Sequence, residues 1–381
     1  MTWLYTIVII GYAMLILLLV KEALSYQRNK INLLSSPVYG FSVVVNYRNE
    51  SKNLPHLLTC LQQLDYPSHL WELILVNDGS DDGSAELIDS FKQKTKLNML
   101  SLTRLQESAS AKKDGIQQAV DHAQFEHIIC TDADAHIPST WLQAFDTFFR
   151  QHPKAHFVAG PVWLEPNGSL VSRLQSNEMI ALQMMTIGAF AHRQPFLCNG
   201  ANMAFTREAF TAVDGYNGNR QVSSGDDVFL LEKLSAEDLD KCHYLKDRHA
   251  IISTSTKSSW IGMIKQRARW AQKSGHTKSR LGKLISLQVL AMNLLIIASP
   301  VLYFLNWMSL EFLVATWTTK FFVDALSLVI GQQFFEDRGW QRGFVVCFLI
   351  YPIAVAQIAL WSLRKHQWHG RSVSLGRQAE G

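Results

Sequence analysis

Apolar residues collect at the two ends of this chain, and the middle alternates short apolar runs with polar loops. Met1–Val20 carries no charge and is dominated by apolar residues from Trp3 onward. Leu284–Leu305, Met308–Ile330 and Gly343–Leu363 are three further apolar stretches, each close to the ~20 residues a helix needs to cross a bilayer. Between them, "YGFSVVVNYRNE" reads as a β-branched strand running into a loop, and Asn53–Leu64 as a helix with Pro55 in its first turn. The pattern repeats: a strand over Leu73–Val76, a helix over Ala85–Thr95, a weaker strand over Leu97–Leu102, a helix over Ala111–Ala123, and a strand over His127–Cys130. Such alternation predicts an α/β fold whose mostly parallel sheet is flanked by helices. Ligands on these sheets bind beyond the carboxyl ends of the strands.

Composition sharpens the reading of the ends. Of the 381 residues only 18% are charged and 48% are hydrophobic, giving a mean hydropathy of +0.02. That is too apolar for an ordinary soluble enzyme and favours membrane helices over buried core helices. No Lys or Arg precedes the first segment and no small-residue cleavage site follows it, so it reads as an anchor and not as a signal peptide. Lys21, Arg28 and Lys30 follow it, which places the next segment in the cytosol by the positive-inside rule. A net charge of +4 is too small to imply nucleic acid. The cysteines (Cys60, Cys130, Cys198, Cys242, Cys347) are scattered without a C-x-x-C, which argues against zinc or a disulfide framework.

The chemistry gathers in acidic loops. "TDADAH" places Asp132 and Asp134 at the mouth of an apolar strand, where paired oxygen donors suit a hard divalent cation that also binds phosphate. "NDGSDDGS" puts Asp78 at the end of another strand, so the two loops are expected to meet in space. Taken alone, Asp-Gly-Ser is also ordinary turn composition. "VSSGDDVFLLEKL" sets Asp226 and Asp227 ahead of an apolar helix. There they serve either as helix-capping acids or as a general base whose neighbour raises its pKa. In "IKQRARWAQK", Gln266, Arg269, Trp270 and Lys273 share one helical face, while Trp260, Ile264, Ala268 and Ala271 share an apolar one fit to lie on a membrane.

In chain order these segments are V-V-V-N-Y-R-N-E, N-D-G-S-D-D-G-S, K-K-D-G-I, D-A-D, G-D-D and Q-R-A-R-W. Together they resemble the membrane-bound family 2 glycosyltransferases, relatives of cellulose, chitin and hyaluronan synthases, over roughly residues 39–273. The resemblance implies a GT-A-like fold with terminal transmembrane helices, and inverting transfer from a nucleotide-diphosphate sugar, most naturally a UDP-sugar, with Mg²⁺ or Mn²⁺. It assigns Tyr47, Glu50 and Asp78 to the base and ribose, Lys112 to the diphosphate, Asp132 to the nucleotide and the metal, and Asp134 to the metal. Asp227 becomes the catalytic base with Asp226 beside it, and Gln266, Arg269 and Trp270 hold the diphosphate and line the acceptor end. "FLCNGANMAF" resembles an acceptor-side loop, which brings in Cys198, Asn199, Gly200 and Asn202. The chain departs from the family pattern at Asn46, Asn77, Ala111 and Asp226, none of which removes a group the chemistry requires.

The expected organisation is an anchor over 1–24, a cytosolic catalytic domain over 38–256, an amphipathic helix over 257–283, a membrane region over 284–366 and a polar tail over 367–381. The expected setting is a bacterial inner membrane in cell-envelope or exopolysaccharide synthesis, with a glycan or lipid acceptor and an export partner protein. Single-sugar transfer to a lipid stays open, as do a nucleotidyltransferase and a non-catalytic membrane scaffold. Glu311, Lys320 and Asp324 are costly in lipid, so Met308–Ile330 is expected to be interfacial, re-entrant or cavity-facing, leaving the tail with Arg364, Lys365 and Arg371 inside. Leu170–Phe190 reads as a helix on the membrane surface.

Overall fold

The computed structural model describes residues 2–26, 36–222, 224–274, 277–337, 339, 341–363, 367–368 and 371–372. In chain order the elements begin α1 (Thr2–Ser25), β1 (Phe41–Tyr47), α2 (Leu54–Gln62), β2 (Trp71–Asn77), α3 (Ser84–Lys94), β3 (Met99–Thr103) and α4 (Ala111–His122). They continue with β4 (His127–Asp132), β5 (Ala135–His136), α5 (Trp141–Gln151), β6 (Phe157–Ala159), β7 (Val162–Glu165), α6 (Leu170–Ala191), β8 (Met203–Thr206) and α7 (Arg207–Ala212). Then come α8 (Asp226–Glu237), β9 (Cys242–Tyr244), β10 (Ile252–Ser255), α9 (Trp260–Ser274), α10 (Arg280–Phe304), α11 (Leu310–Phe335) and α12 (Phe344–Ser362), and last the short paired strands β11 (Gln367–Trp368) and β12 (Arg371–Ser372).

The chain divides into two compact units, one of which comprises residues 27–162, 197–255 and 365–381. Its main sheet runs β3-β2-β1-β4-β8-β6-β9. Strands β3, β2, β1 and β4 are parallel, β8 is antiparallel to both β4 and β6, and β9 is parallel to β6. The sheet is therefore mixed and mostly parallel, as the alternation predicts. β1 and β2 are buried along nearly their whole length, as expected of strands covered on both faces, and so they read as continuous apolar runs. One core joins Val43, Val45, Leu73, Leu75 and Ile129 of the sheet to Leu57 and Leu61 of α2 and to Phe145, Phe148 and Phe149 of α5. Register aligns the strand ends: Asn46 lies opposite both Val76 and Asp132, so the acidic loops leave the same edge.

The other unit comprises residues 1–26, 163–196 and 256–364. The segment 163–196, which patterning leaves inside a single 38–256 domain, groups here with the terminal helices. Its helix α6 packs along α1 and α11 and does not lie alone on a surface. The approach is close at Gly188, where a Cβ would come within 2.1 Å of the Leu19 carbonyl oxygen. Among the described residues four helices, α1, α10, α11 and α12, are long and apolar enough to cross a membrane.

Of the alternatives for Met308–Ile330 the re-entrant one is overturned: α11 is one unbroken helix of 26 residues. Lys320 is fully buried and bonds Asp324, whose other oxygen accepts from the Tyr12 hydroxyl at 2.5 Å. The Lys320 ammonium also faces the Phe348 ring at 5.1 Å. The costly charges thus turn inward and neutralise each other, while Glu311 sits in the first turn, where the helix dipole favours an acid. The expectations concerning Arg28, Lys30, Arg364, Lys365 and the side chain of Arg371 lie outside the described residues.

Candidate active site

The site begins where β4 ends. Asp132 is the last residue of that strand, and a tight turn through Ala133 and Asp134 leads into β5. The Lys112 ammonium, from the first turn of α4, donates to Asp132 Oδ1 at 2.7 Å and to the Gly200 carbonyl at 3.3 Å. The same ammonium lies 3.2 Å from Asp226 Oδ2. One lysine therefore ties together the D-A-D loop, the "FLCNGANMAF" loop and the start of α8. Burial pulls its pKa down, but Asp132 and Asp226 outweigh that and hold it well above the usual lysine range.

Asp226 and Asp227 open α8 behind Gly225, whose φ of +87° suits glycine. Both acids are buried. Asp227 Oδ2 accepts from the Gly200 N–H at 3.3 Å, and its Oδ1 accepts from its neighbour Val228 N–H at 2.8 Å. Gly200 is hemmed in: a Cβ there would stand 2.6 Å from Asp226 Oδ2 and 2.9 Å from Lys112 Nζ. Only a glycine lets the backbone run against the carboxylate pair.

A second arm lies at the ends of β1 and β2. The Asp78 N–H donates to the Tyr47 carbonyl at 2.9 Å, and its carboxylate is held by Arg104 and, at 3.4 Å, by Arg48. Arg104 reaches from Asp78 to Asp114 on α4, 3.1 Å away. Asp114 Oδ2 also accepts from the Glu107 and Ser108 N–H groups at 3.2 and 3.1 Å, which shapes the loop before α4. Tyr47 is buried, and burial first, then the acids of α3 and its approach, push its hydroxyl up to about 12. Glu50 accepts from the Asn53 side chain at 2.6 Å, and Asn77 Oδ1 caps the turn by accepting from the Ser80 N–H at 2.8 Å.

Of the residues singled out by sequence, Lys112, Asp132, Gly200, Asp226 and Asp227 form one bonded cluster, while Tyr47 ends β1 and Glu50, Asp78 and Asp134 lie on loops beyond the same strand edge. Cys198 is buried, and Asn199 Oδ1 accepts from the Ala201 N–H at 3.0 Å. Asn202 sits in the core. Fully buried, it accepts from Trp141 Nε1 at 3.0 Å and donates to the Pro161 and Ala250 carbonyls at 2.8 and 2.9 Å, so its amide holds the core together.

Gln266, Arg269 and Trp270 lie on α9, in the unit that holds the terminal helices. There the buried arginine is Arg267, which the motif passes over. It bonds Glu178 of α6 at 2.5 Å and Gln266 Oε1 at 2.8 Å, and its guanidinium covers the Trp270 ring at 4.3 Å. The apolar stripe of α9 meets protein: Met263 and Ile264 pack with Leu174, Cys347 and Ala354. The side chain of Lys273 lies outside the described residues. Arg104, Asp114, Arg267 and Glu178 are the residues that sequence reasoning missed. The position of Arg104, just past a strand end, and that of Asp114, inside K-K-D-G-I, offered the signals.

Among the described residues no group of three or more His, Cys, Asp and Glu side chains is set to hold a metal unaided. The donor set nonetheless fits a hard divalent ion that arrives with phosphate, since such ions take one or two carboxylates and complete their shell with water and phosphate oxygen. Asp132 supplies such an oxygen on a side chain 39% exposed, already facing a cation.

Comparison with known proteins agrees with this geometry. Residues 37–273 match the family described as "Glycosyltransferase like family 2". The poly-beta-1,6-N-acetyl-D-glucosamine synthase of Staphylococcus epidermidis is 28% identical over 244 residues, 63% of this chain and 55% of that protein. The synthase of the same name from Staphylococcus aureus strain COL is 26% identical over 249 residues, 62% of this chain and 55% of its own. The matched region thus spans about half the length of these curated relatives. The mannosyltransferase PcManGT of Pyrobaculum calidifontis, solved with GDP-Man and Mn²⁺, shares the fold at a TM-score of 0.60 and 16% identity, over 94% of this chain and 99% of that one. The family match covers more than half of the chain, and with a GT-A-like sheet carrying acids at its strand ends, this protein belongs to the family 2 glycosyltransferases.

Proposed function

We propose that the protein carries out an inverting, divalent-metal-dependent transfer of a sugar from a UDP-sugar to a hydroxyl of a growing polysaccharide, oligosaccharide or lipid-linked acceptor. The observation that carries this reading is Lys112 bridging Asp132 and Asp226 with Asp227 alongside. The acceptor oxygen attacks the anomeric carbon on the face opposite the diphosphate, its proton passes to Asp227, and the nucleoside diphosphate leaves with the bonding pair. Lys112 is the cation that meets the charge growing on that leaving group, in a half-buried setting where such contacts are strong. Tyr47, Glu50 and Asp78 hold the base and ribose, and Asn199 and Cys198 belong to the acceptor-side loop. Gln266, Arg269 and Trp270 bind the diphosphate and the acceptor end. Asp134 and Asp132 would hold Mg²⁺ or Mn²⁺, which supplies Lewis-acid stabilisation of the departing diphosphate.

N-acetylglucosamine is the sugar to try first, given the names of the curated relatives. The apolar helices support insertion in a membrane, and the bacterial source of the curated relatives makes an inner membrane the setting to test, with the catalytic unit in the cytosol, in envelope or exopolysaccharide synthesis beside an export partner. The test is a panel of labelled nucleotide sugars given to membranes with Mg²⁺ or Mn²⁺, with the product sized. The proposal expects UDP release and a lengthened glycan. A single sugar on lipid would replace the polymer reading, consumption of NTP would mean a nucleotidyltransferase, and no turnover would mean a scaffold.

A further inference from the structure

Three consecutive charged residues open α4, and each reaches a different part of the site. Successive helix positions point about 100° apart. Lys112 therefore faces Asp132 and Asp226, Asp114 faces Arg104, and Lys113 points a third way. Lys113 is 1% exposed. Its ammonium donates to the Asn219 carbonyl at 2.8 Å and to the Val222 carbonyl at 2.9 Å. It also stands 4.6 Å from the Phe229 ring centroid and 6.0 Å from that of Tyr216. An ammonium taken out of water costs several kcal/mol unless its protons find partners, and two carbonyls with an aromatic face are such partners.

These contacts straddle the acid pair in sequence. Asn219 and Val222 lie just before Gly225, and Phe229 lies on the first turn of α8 just after Asp227. Phe229 is pressed against Gly225, where a Cβ would meet its ring at 2.6 Å. Gly225 carries the left-handed turn that aims Asp226 and Asp227.

We propose that Lys113 is a positioning residue: by gripping 219–222 on one side and Phe229 on the other, it sets the Gly225 turn and so the placement of Asp227. Through adjacent residues α4 fixes both the acid pair and the chain leading into it, so a shift of residues 219–222 carries the base out of line with a diphosphate held by Lys112. Misplacement by about 1 Å is enough to cost roughly a hundredfold in rate. The inference rests on the reading of Asp227 as base.

The experiment compares Lys113→Met and Lys113→Arg in the full-length chain in membranes, by steady-state kinetics, donor binding and amide hydrogen exchange. Lys113→Met should lower kcat by ~30-fold or more with donor KM and Kd within about twofold of wild type. Lys113→Arg, which still donates to two carbonyls, should recover most of that loss. Exchange at 219–222 and 226–228 should rise in Lys113→Met and not at β1 or β2. An unchanged kcat, or a parallel fall of kcat and donor affinity, overturns the proposal. If Lys113→Met does not fold, Lys113→Gln, which keeps a donor on a chain one atom shorter and without the charge, takes its place. Its fall in kcat should then be intermediate between that of Lys113→Arg and that expected for Lys113→Met, and an unchanged kcat or a parallel fall of kcat and donor affinity again overturns the proposal. If the wild-type protein transfers no sugar, the functional reading fails while the exchange comparison still decides whether Lys113 holds this loop.

Discussion

Replacing Gly200 with alanine should separate folding from chemistry. The added methyl would stand 2.6 Å from Asp226 Oδ2 and 2.9 Å from Lys112 Nζ, against an ordinary carbon contact of about 3.5–4.0 Å. Both obstacles are side-chain ends, so the fold can yield by about 1 Å at a cost near 1–3 kcal/mol. The site has less latitude. Such a shift pulls Lys112 off Asp226, lengthens the 3.3 Å bond from the Gly200 N–H to Asp227, and moves the proposed base. A displacement of that size corresponds to about a hundredfold in kcat, or roughly 2.7 kcal/mol of barrier. The assay is UDP release from the best donor by Gly200→Ala in membranes, beside its thermal midpoint in detergent. Activity within about threefold of wild type, in a protein shown to carry the substitution, would refute the claim that this backbone is fitted to the acid pair.

Other outcomes follow from single contacts. Asn202→Ala strands Trp141 Nε1 and two buried carbonyls and should cost about 2–4 kcal/mol in chemical denaturation. A raised acceptor KM without that loss would return Asn202 to the acceptor side. Arg104→Met leaves Asp78 and the buried Asp114 facing each other, which should cost about 3–5 kcal/mol and weaken donor binding, read by titration with UDP. Burial pushes His127 and His243 down to about 4, with Asp146 opposing the first and His152 reinforcing the second. Their unfolded value is near 6.5. Because the unfolded chain then binds more protons, stability is full above about pH 6.5 and is lost as pH falls toward 4, by at most about 3 kcal/mol each. Thermal midpoints between pH 7.5 and 4.5 should show this fall, flattened in His127→Gln, and an unchanged slope would contradict it.

The sheet was legible because β1, β2 and β4 are short buried runs whose polar successors mark the carboxyl edge, so Asp78 and Asp132 announced themselves by position. The bonded cluster was legible in part: the acids and Lys112 stood in recognisable segments, but nothing in "KKDGI" tells which of two lysines meets the carboxylates. Contacts across long sequence separations left no trace: Arg267 with Glu178 and Tyr12 with Asp324 are partnerships that only folding reveals. Lys320 with Asp324, four apart on one helix, was legible as a pair but not in the direction it faces. The core role of Asn202 was hidden for a related reason, since a polar residue in an apparent loop looks available while its amide fills three backbone and indole vacancies. In α11, hydropathy gave the length of the helix but not the direction its charges face.

The central claim, that Asp227 is the base of a sugar transfer, is tested most directly by replacing its carboxylate and nothing else. Asp227→Asn keeps the shape of the side chain and an oxygen for the Gly200 N–H. Measured side by side with wild type, it should bind UDP-sugar with nearly the same affinity and transfer no measurable sugar. Retained transfer, or loss of binding in step with transfer, would contradict the role assigned to Asp227.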